Sequence, residues 1–157
     1  MKISFWAIGK AHEPFVREGV DDFTKRAARY FPVEWHILPV PKNAASLPEA
    51  DQKKKEGDLV LSLLKPEDYL VALDEYGRQF RSEELAAFLQ QRATESARSL
   101  VFLIGGAFGL DDRVLKKAQT KWSLSQLTFP HQLVRLILAE QVYRACTILR
   151  NEKYHHR

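Results

Sequence analysis

His131, Arg135, Glu140, Tyr154 and His155, all near the C-terminus, are of residue types that move protons or stabilise charge. An imidazole, a carboxylate or a phenol can take or relay a proton, and a guanidinium can hold a developing anion. Upstream, Gly105, Gly106 and Gly109 follow an apolar run and precede two aspartates in Phe-Leu-Ile-Gly-Gly-Ala-Phe-Gly-Leu-Asp-Asp, Phe102 to Asp112. Glycines at such a junction let backbone approach a ligand, or they serve a tight turn and nothing more. His131 directly follows Pro130, where it either caps a helix or faces a site. Glu140 reads first as a partner of Arg135 or Arg144. Tyr154 and His155 lie on a terminal tail with no core to serve, so function is the more economical reading there.

These residues need elements to position them. Ile3 to Ile8 reads as a strand, and Glu13 to Phe31 as a helix with Phe15, Val16, Val20, Phe23, Ala27 and Tyr30 at three- and four-residue spacing, closed by Pro32. Val33 to Val40 alternates as a strand with one drier face, followed by a loop. Pro48 to Leu64 fits a helix with Lys53 to Glu56 on its polar side. Tyr69 to Leu73 is an apolar strand ending in Asp74 and a turn around Tyr76-Gly77. Ser82 caps a helix without a full capping box, and Leu85, Ala86, Phe88 and Leu89 form its buried side. Leu100 to Ile104 reads as a central parallel strand covered on both faces. Asp111 or Asp112 caps a helix through Ala118, Trp122 to Leu127 makes a short strand with its loop, and a last helix runs from about His131 to Asn151. This alternation predicts one α/β domain over residues 1–157 with a largely parallel sheet, whose ligands bind beyond the carboxyl ends of the strands.

The glycine loop does not match the phosphate-binding patterns. A dinucleotide site would place Gly-x-Gly-x-x-Gly after the first strand, where the chain has Ile8-Gly9-Lys10-Ala11-His12, and no Gly-Lys-Ser/Thr follows Gly109 as a Walker loop requires. What remains is a turn whose main chain lines a pocket, suited to an adenosine or methionine moiety.

With 157 residues the chain can bury a core without staples, and its lone cysteine, Cys146, sits in an apolar stretch as a small hydrophobe. That usage fits a reducing, cytoplasmic location. The N-terminal apolar run is too short for a signal, and no segment approaches the length of a membrane span. A net charge of +4 with clusters at Lys53-Lys54-Lys55, at Lys25, Arg26 and Arg29, and in the tail makes a polyanionic partner plausible. The last helix carries apolar residues on nearly every side, from Leu133, Val134 and Leu136 to Ile148 and Leu149, so a second cover is needed beyond its own sheet; another subunit supplies it most simply.

Leu73-Asp74, Ile-Gly-Gly-x-x-Gly (104–109), Ser-Leu-Ser-x-Leu-Thr-x-Pro-His (123–131), Leu-x-Arg-x-x-x-x-Glu-x-x-Tyr-Arg-Ala (133–145) and a terminal Tyr-His occur in this order. Together they resemble, over essentially the whole chain, the RlmH family of SPOUT-class methyltransferases. The resemblance implies an α/β fold whose C-terminal part, about residues 70–157, is tied in a trefoil knot, and a homodimer. It implies S-adenosylmethionine as cofactor, contacted at Leu73, Gly105, Leu124, Ser125, Gln126, Leu127, Thr128 and Phe129. It also implies methylation of N3 of a pseudouridine in helix 69 of 23S rRNA, on the assembled ribosome or its large subunit, with no metal and no membrane.

Such a reaction must remove the N3 proton or stabilise the resulting anion, and His131, Arg135, Glu140, Tyr154 and His155 are the candidates. A tail from one subunit could complete the pocket of the other. Two features depart from the family pattern: Lys153 stands where the tail usually has proline, with His156 in the basic place, and Ala107-Phe108 replace Pro-Glu in the glycine loop. A SPOUT methyltransferase for another RNA site, or a non-catalytic basic RNA-binding protein, are the alternatives.

Overall fold

The computed structural model describes residues 1–40 and 42–157. The loop expected after Val40 begins at Pro41, which lies outside the described residues. Strands and helices alternate: β1 (Lys2–Ile8), α1 (Pro14–Ala27), β2 (Val33–Leu38), α2 (Glu49–Leu63), β3 (Asp68–Arg78), α3 (Ser82–Thr94), β4 (Ser99–Ile104), α4 (Asp112–Lys117), β5 (Thr120–Trp122) and α5 (His131–Leu149), with a short 3-10 turn at Ala44–Ser46. All strands are parallel, in the order β2-β1-β4-β3-β5.

The apolar runs become strands covered on both faces. Phe5, Phe102 and Val71 point to one side, against α3 and α5, while Trp6, Leu103 and Leu70 point to the other, with Val60 of α2 and Val114 of α4. Period-2 alternation in a strand produces this division, and a sheet sandwiched by helices has no polar face to show. Phe5 and Phe102 are fully buried with ring centroids 5.8 Å apart, each contributing roughly 1.5–3 kcal/mol by burial. Helix α5 lies between α1 and α3. Leu136 fills the space over Gly19 of α1, where a Cβ would come within 2.6 Å of its Cδ1. A strip at Leu133, Ile137, Glu140 and Arg144 stays partly exposed. The structure thus covers the helix from its own chain on most sides and leaves one strip open.

Several boundaries differ from the sequence reading. Helix α1 stops at Ala27, and Ala28 to Phe31 form a turn before Pro32. Strand β3 does not end at Leu73 but runs to Arg78, with a register shift between those residues as it pairs with β5. Gly77 permits this, because a Cβ there would stand 2.6 Å from the Lys121 carbonyl carbon. The cap of α3 is Arg81, not Ser82; the Glu84 carboxylate accepts from the Arg81 N–H at 2.6 Å, the reaching-back half of a capping box. Ser82 instead donates to Gln141 Oε1 at 2.8 Å, tying α3 to α5. Strand β5 lies before rather than within Trp122 to Leu127, and α5 ends at Leu149, with Asn151 turning the chain back at φ 54°. Asp111 caps α4, its carboxylate accepting from the Arg113 N–H at 2.8 Å.

Among the described residues no helix is long and apolar enough to cross a membrane. Burial pushes the Cys146 thiol up to about 12. Because the thiolate is the reactive form, Cys146 is expected to resist iodoacetamide at mildly alkaline pH in the folded protein. Full alkylation in denaturant, read by intact-mass spectrometry, is the matching control.

Candidate active site

The chain passes from β3 to β4 in one direction across the sheet and from β4 back past β3 to β5 in the other. Where connections diverge in this way, the loops beyond the strand carboxyl ends leave a crevice. A cavity of about 440 Å³ lies there, lined by the loops after β3, β4 and β5 and by the first turn of α5. Leu73, Gly105, Leu124, Ser125, Gln126, Leu127, Thr128 and Phe129 all line it, as does His131. Its size is within the range of small-molecule sites.

Close packing against backbone shapes the glycine loop. A Cβ on Gly105 would lie 3.0 Å from Leu110 Cδ2 and 3.1 Å from the Gly109 carbonyl carbon. Gly109 adopts φ +84°, which a side chain rarely tolerates, and its N–H donates to Gly106 O at 3.2 Å. A Cβ on Gly106 would stand 2.6 Å from Glu56 Oε1. Glu56 was expected on the polar side of α2, yet it is buried behind this loop; burial raises its carboxyl pKa, and Gln52 Nε2, donating at 3.2 Å, partly opposes that. No local pattern marks Glu56, since what buries it is a loop far along the chain. The loop of residues 123–129 is braced by itself: the Ser123 hydroxyl donates to Ser125 O at 3.1 Å, and Leu127 N–H donates to Ser125 Oγ at 3.0 Å. Phe108, in the glycine loop, is partly exposed.

The proton-handling candidates divide between two places. His131, at the first position of α5, lies in the cavity wall, and burial together with the Arg135 charge holds its imidazole below the usual range. Arg135, one turn on, is fully buried and donates through Nη1 to His12 Nδ1 at 3.2 Å. Glu140 pairs not with Arg135 but with Arg144, whose Nε donates to Glu140 Oε1 at 2.7 Å. The tail folds back onto that pair. Arg144 Nη1 meets His155 Nδ1 at 3.1 Å, His155 Nε2 meets Glu83 Oε1 at 3.1 Å, and the Arg144 guanidinium lies 4.7 Å from the Tyr154 ring centre. Burial raises the Tyr154 phenol pKa. At 1.5 Å per residue, Glu140 sits roughly 13 Å along the helix from His131, so within one chain the tail cluster does not reach the cavity wall. Arg144, one of the two partners the sequence offered for Glu140, holds this cluster together with Glu83; Glu83 was not named, and its signal was the acidic first turn of α3. Among the described residues no group of His, Cys, Asp or Glu is arranged to hold a metal ion.

A family model described as a predicted SPOUT methyltransferase matches residues 1–155. The chain belongs to the SPOUT methyltransferase family. Curated relatives extend the match over the full length: proteins of Parabacteroides distasonis and Flavobacterium johnsoniae, each named ribosomal RNA large subunit methyltransferase H, are 45% and 46% identical over 156 residues, covering 99% of both chains in each case. A solved structure, described as a probable methyltransferase from Bordetella pertussis, superposes with a TM-score of 0.56 at 13% identity, covering 92% of this chain and 93% of that one. That last likeness speaks to the fold alone.

Proposed function

We propose that this SPOUT methyltransferase transfers a methyl group from S-adenosylmethionine to N3 of a pseudouridine in helix 69 of 23S rRNA, on the assembled ribosome or its large subunit. The observation that carries the reading is the cavity at the divergence of β3, β4 and β5, walled by a glycine loop packed so closely at Gly105 that a side chain there would press on Leu110 and on the Gly109 backbone. The full-length relatives named as large-subunit ribosomal RNA methyltransferases support the substrate class. The residues fit the cofactor: Leu73, Gly105 and Leu124 to Phe129 would hold it through main chain, the hydroxyls of Ser125 and Thr128, and the apolar side chains of the leucines and Phe129. When bound, S-adenosylmethionine supplies a sulfonium methyl as electrophile.

The chain's own residues do the rest. The braced loop of residues 123–129 fixes the cofactor's surroundings, so much of the rate comes from orientation. His131 faces the cavity as a neutral imidazole. The Glu140, Arg144, Tyr154, His155 cluster, too far along α5 to serve its own cavity, completes the cavity of a second subunit in a homodimer, docked along the open strip of α5. The C-terminal region from about residue 70 carries the family's trefoil knot. Exposed Lys54, Lys55, Lys116 and Lys117 lie on the adjoining helices α2 and α4 and provide the charge that a phosphate backbone attracts.

Mass spectrometry of 23S rRNA from cells lacking the protein is the test. Loss of one N3-methylpseudouridine, restored by the intact protein, is the expected result; an unchanged modification map would sink the assignment.

A further inference from the structure

Arg135 is 0% exposed, and among the described residues no carboxylate forms an ion pair with it. Nη1 donates to His12, but Nε and Nη2 are buried without a partner. The acid whose field opposes the loss of its charge is Glu13, which is exposed and not bonded to it. The loop after β1 closes directly over the group: a Cβ on Gly9 would stand 3.1 Å from His131 Nε2 and 3.6 Å from Arg135 Nη2. Both neighbouring imidazoles, His12 and His131, are held below their usual range, by burial first and the Arg135 charge second. His131 and Val134 line the cavity, so the guanidinium lies one residue behind its wall. Burying an unpaired charge is costly, and apolar replacement of such groups is often neutral or stabilising. The charge therefore does not serve the core.

We propose that Arg135 drives positive charge out of the cavity and thereby favours methyl transfer; the inference rests on reading the cavity as the S-adenosylmethionine site. Before the reaction the cavity holds a sulfonium and a neutral imide. The N3–H proton leaves to solvent, the N3 electron pair forms the new N–C bond, and the S–C bond breaks with its pair remaining on sulfur. A neutral thioether and a neutral methylated base result, so one unit of positive charge has left. A fixed cation behind a low-dielectric wall raises the energy of the charged state relative to the neutral one. Arg135 touches none of the reacting atoms and acts as a positioning residue through its field.

Calorimetry with S-adenosylmethionine and S-adenosylhomocysteine on the unsubstituted protein, Arg135→Met, Arg135→Gln and Arg135→Lys tests this. The preference for the neutral thioether over the sulfonium is expected to fall roughly tenfold in the two uncharged variants and to persist in Arg135→Lys, with the melting temperature of Arg135→Met unchanged or raised. A merely structural role would move both affinities by one factor. That result, or an unaltered preference, overturns the proposal. If the unsubstituted protein binds neither compound, the cofactor reading itself fails, and the inference with it.

Discussion

Gly105→Val is expected to weaken S-adenosylmethionine binding by a factor on the order of a hundred, about 2.7 kcal/mol, while the sheet stays folded. The Cβ alone would meet Leu110 Cδ2 at 3.0 Å and the Gly109 carbonyl carbon at 3.1 Å. The leucine can give way, but Gly109 is backbone, held by its bond to Gly106 and in turn by Glu56 behind that residue. The loop must then move as a unit, into the space where the cofactor would lie. Gly105→Ala should show a smaller loss of the same kind. Calorimetry measures the affinity and thermal unfolding provides the control. Residues 105–109 lie outside both apolar clusters and only Leu110, at the edge of the second, is pressed directly, so a lowered melting temperature with the fold retained is expected. Undiminished affinity in the valine variant would show that the backbone at this point does not touch the cofactor.

The second large effect concerns the tail. His155→Ala with Tyr154→Ala should abolish methylation while weakening cofactor binding less than Gly105→Val does, because the residues that would hold the cofactor come from the cavity's own chain and include neither tail residue. If each cavity is completed by the partner's tail, then at a cofactor concentration near the unsubstituted protein's Kd, protomers carrying Gly105→Val and protomers carrying the double tail substitution are both nearly inactive alone. Mixed and allowed to exchange, they should recover about a quarter of the wild-type rate, since half of the symmetric pairs are mixed and each mixed pair has one intact site. A rate that stays at zero after exchange, with mixed dimers demonstrated by native mass spectrometry, would place the tail in its own subunit's site or outside the chemistry.

Much of this architecture could be read from periodicity. The runs Leu100 to Ile104 and Tyr69 to Leu73 are buried strands, and the order of elements follows from the alternation of apolar spacing. The misreadings share a cause, which is that the deciding contact lies far away in sequence. Asp74 and the Tyr76-Gly77 pair signalled a strand end and a turn, yet pairing with β5 over Gly77 carries β3 to Arg78. Glu56 follows three lysines and looked solvated, but Gly106 packs on its carboxylate. The residues named for the cofactor from family motifs line one cavity, whereas the proton-handling candidates fall into two clusters. Sequence alone could not separate those, because Arg135 reaches His12 across the fold and His155 reaches Glu83 in the same way.

The placement of α5 also bears on how the chain is made. Helix α5, the last in sequence order, is the seam between α1 and α3, and the first strand pairs with a strand that begins at Ser99. A nascent chain can pair β1 with β2 and lay α1 beside β2 early, but the face that α1 turns to α5 stays uncovered until residues 131–149 have emerged. Contacts so distant in sequence make folding slow and leave apolar surface open in the meantime. Completion of the domain therefore waits on α5, and variants that loosen α5 should reduce yield in cells more than they lower the melting temperature of the protein that survives.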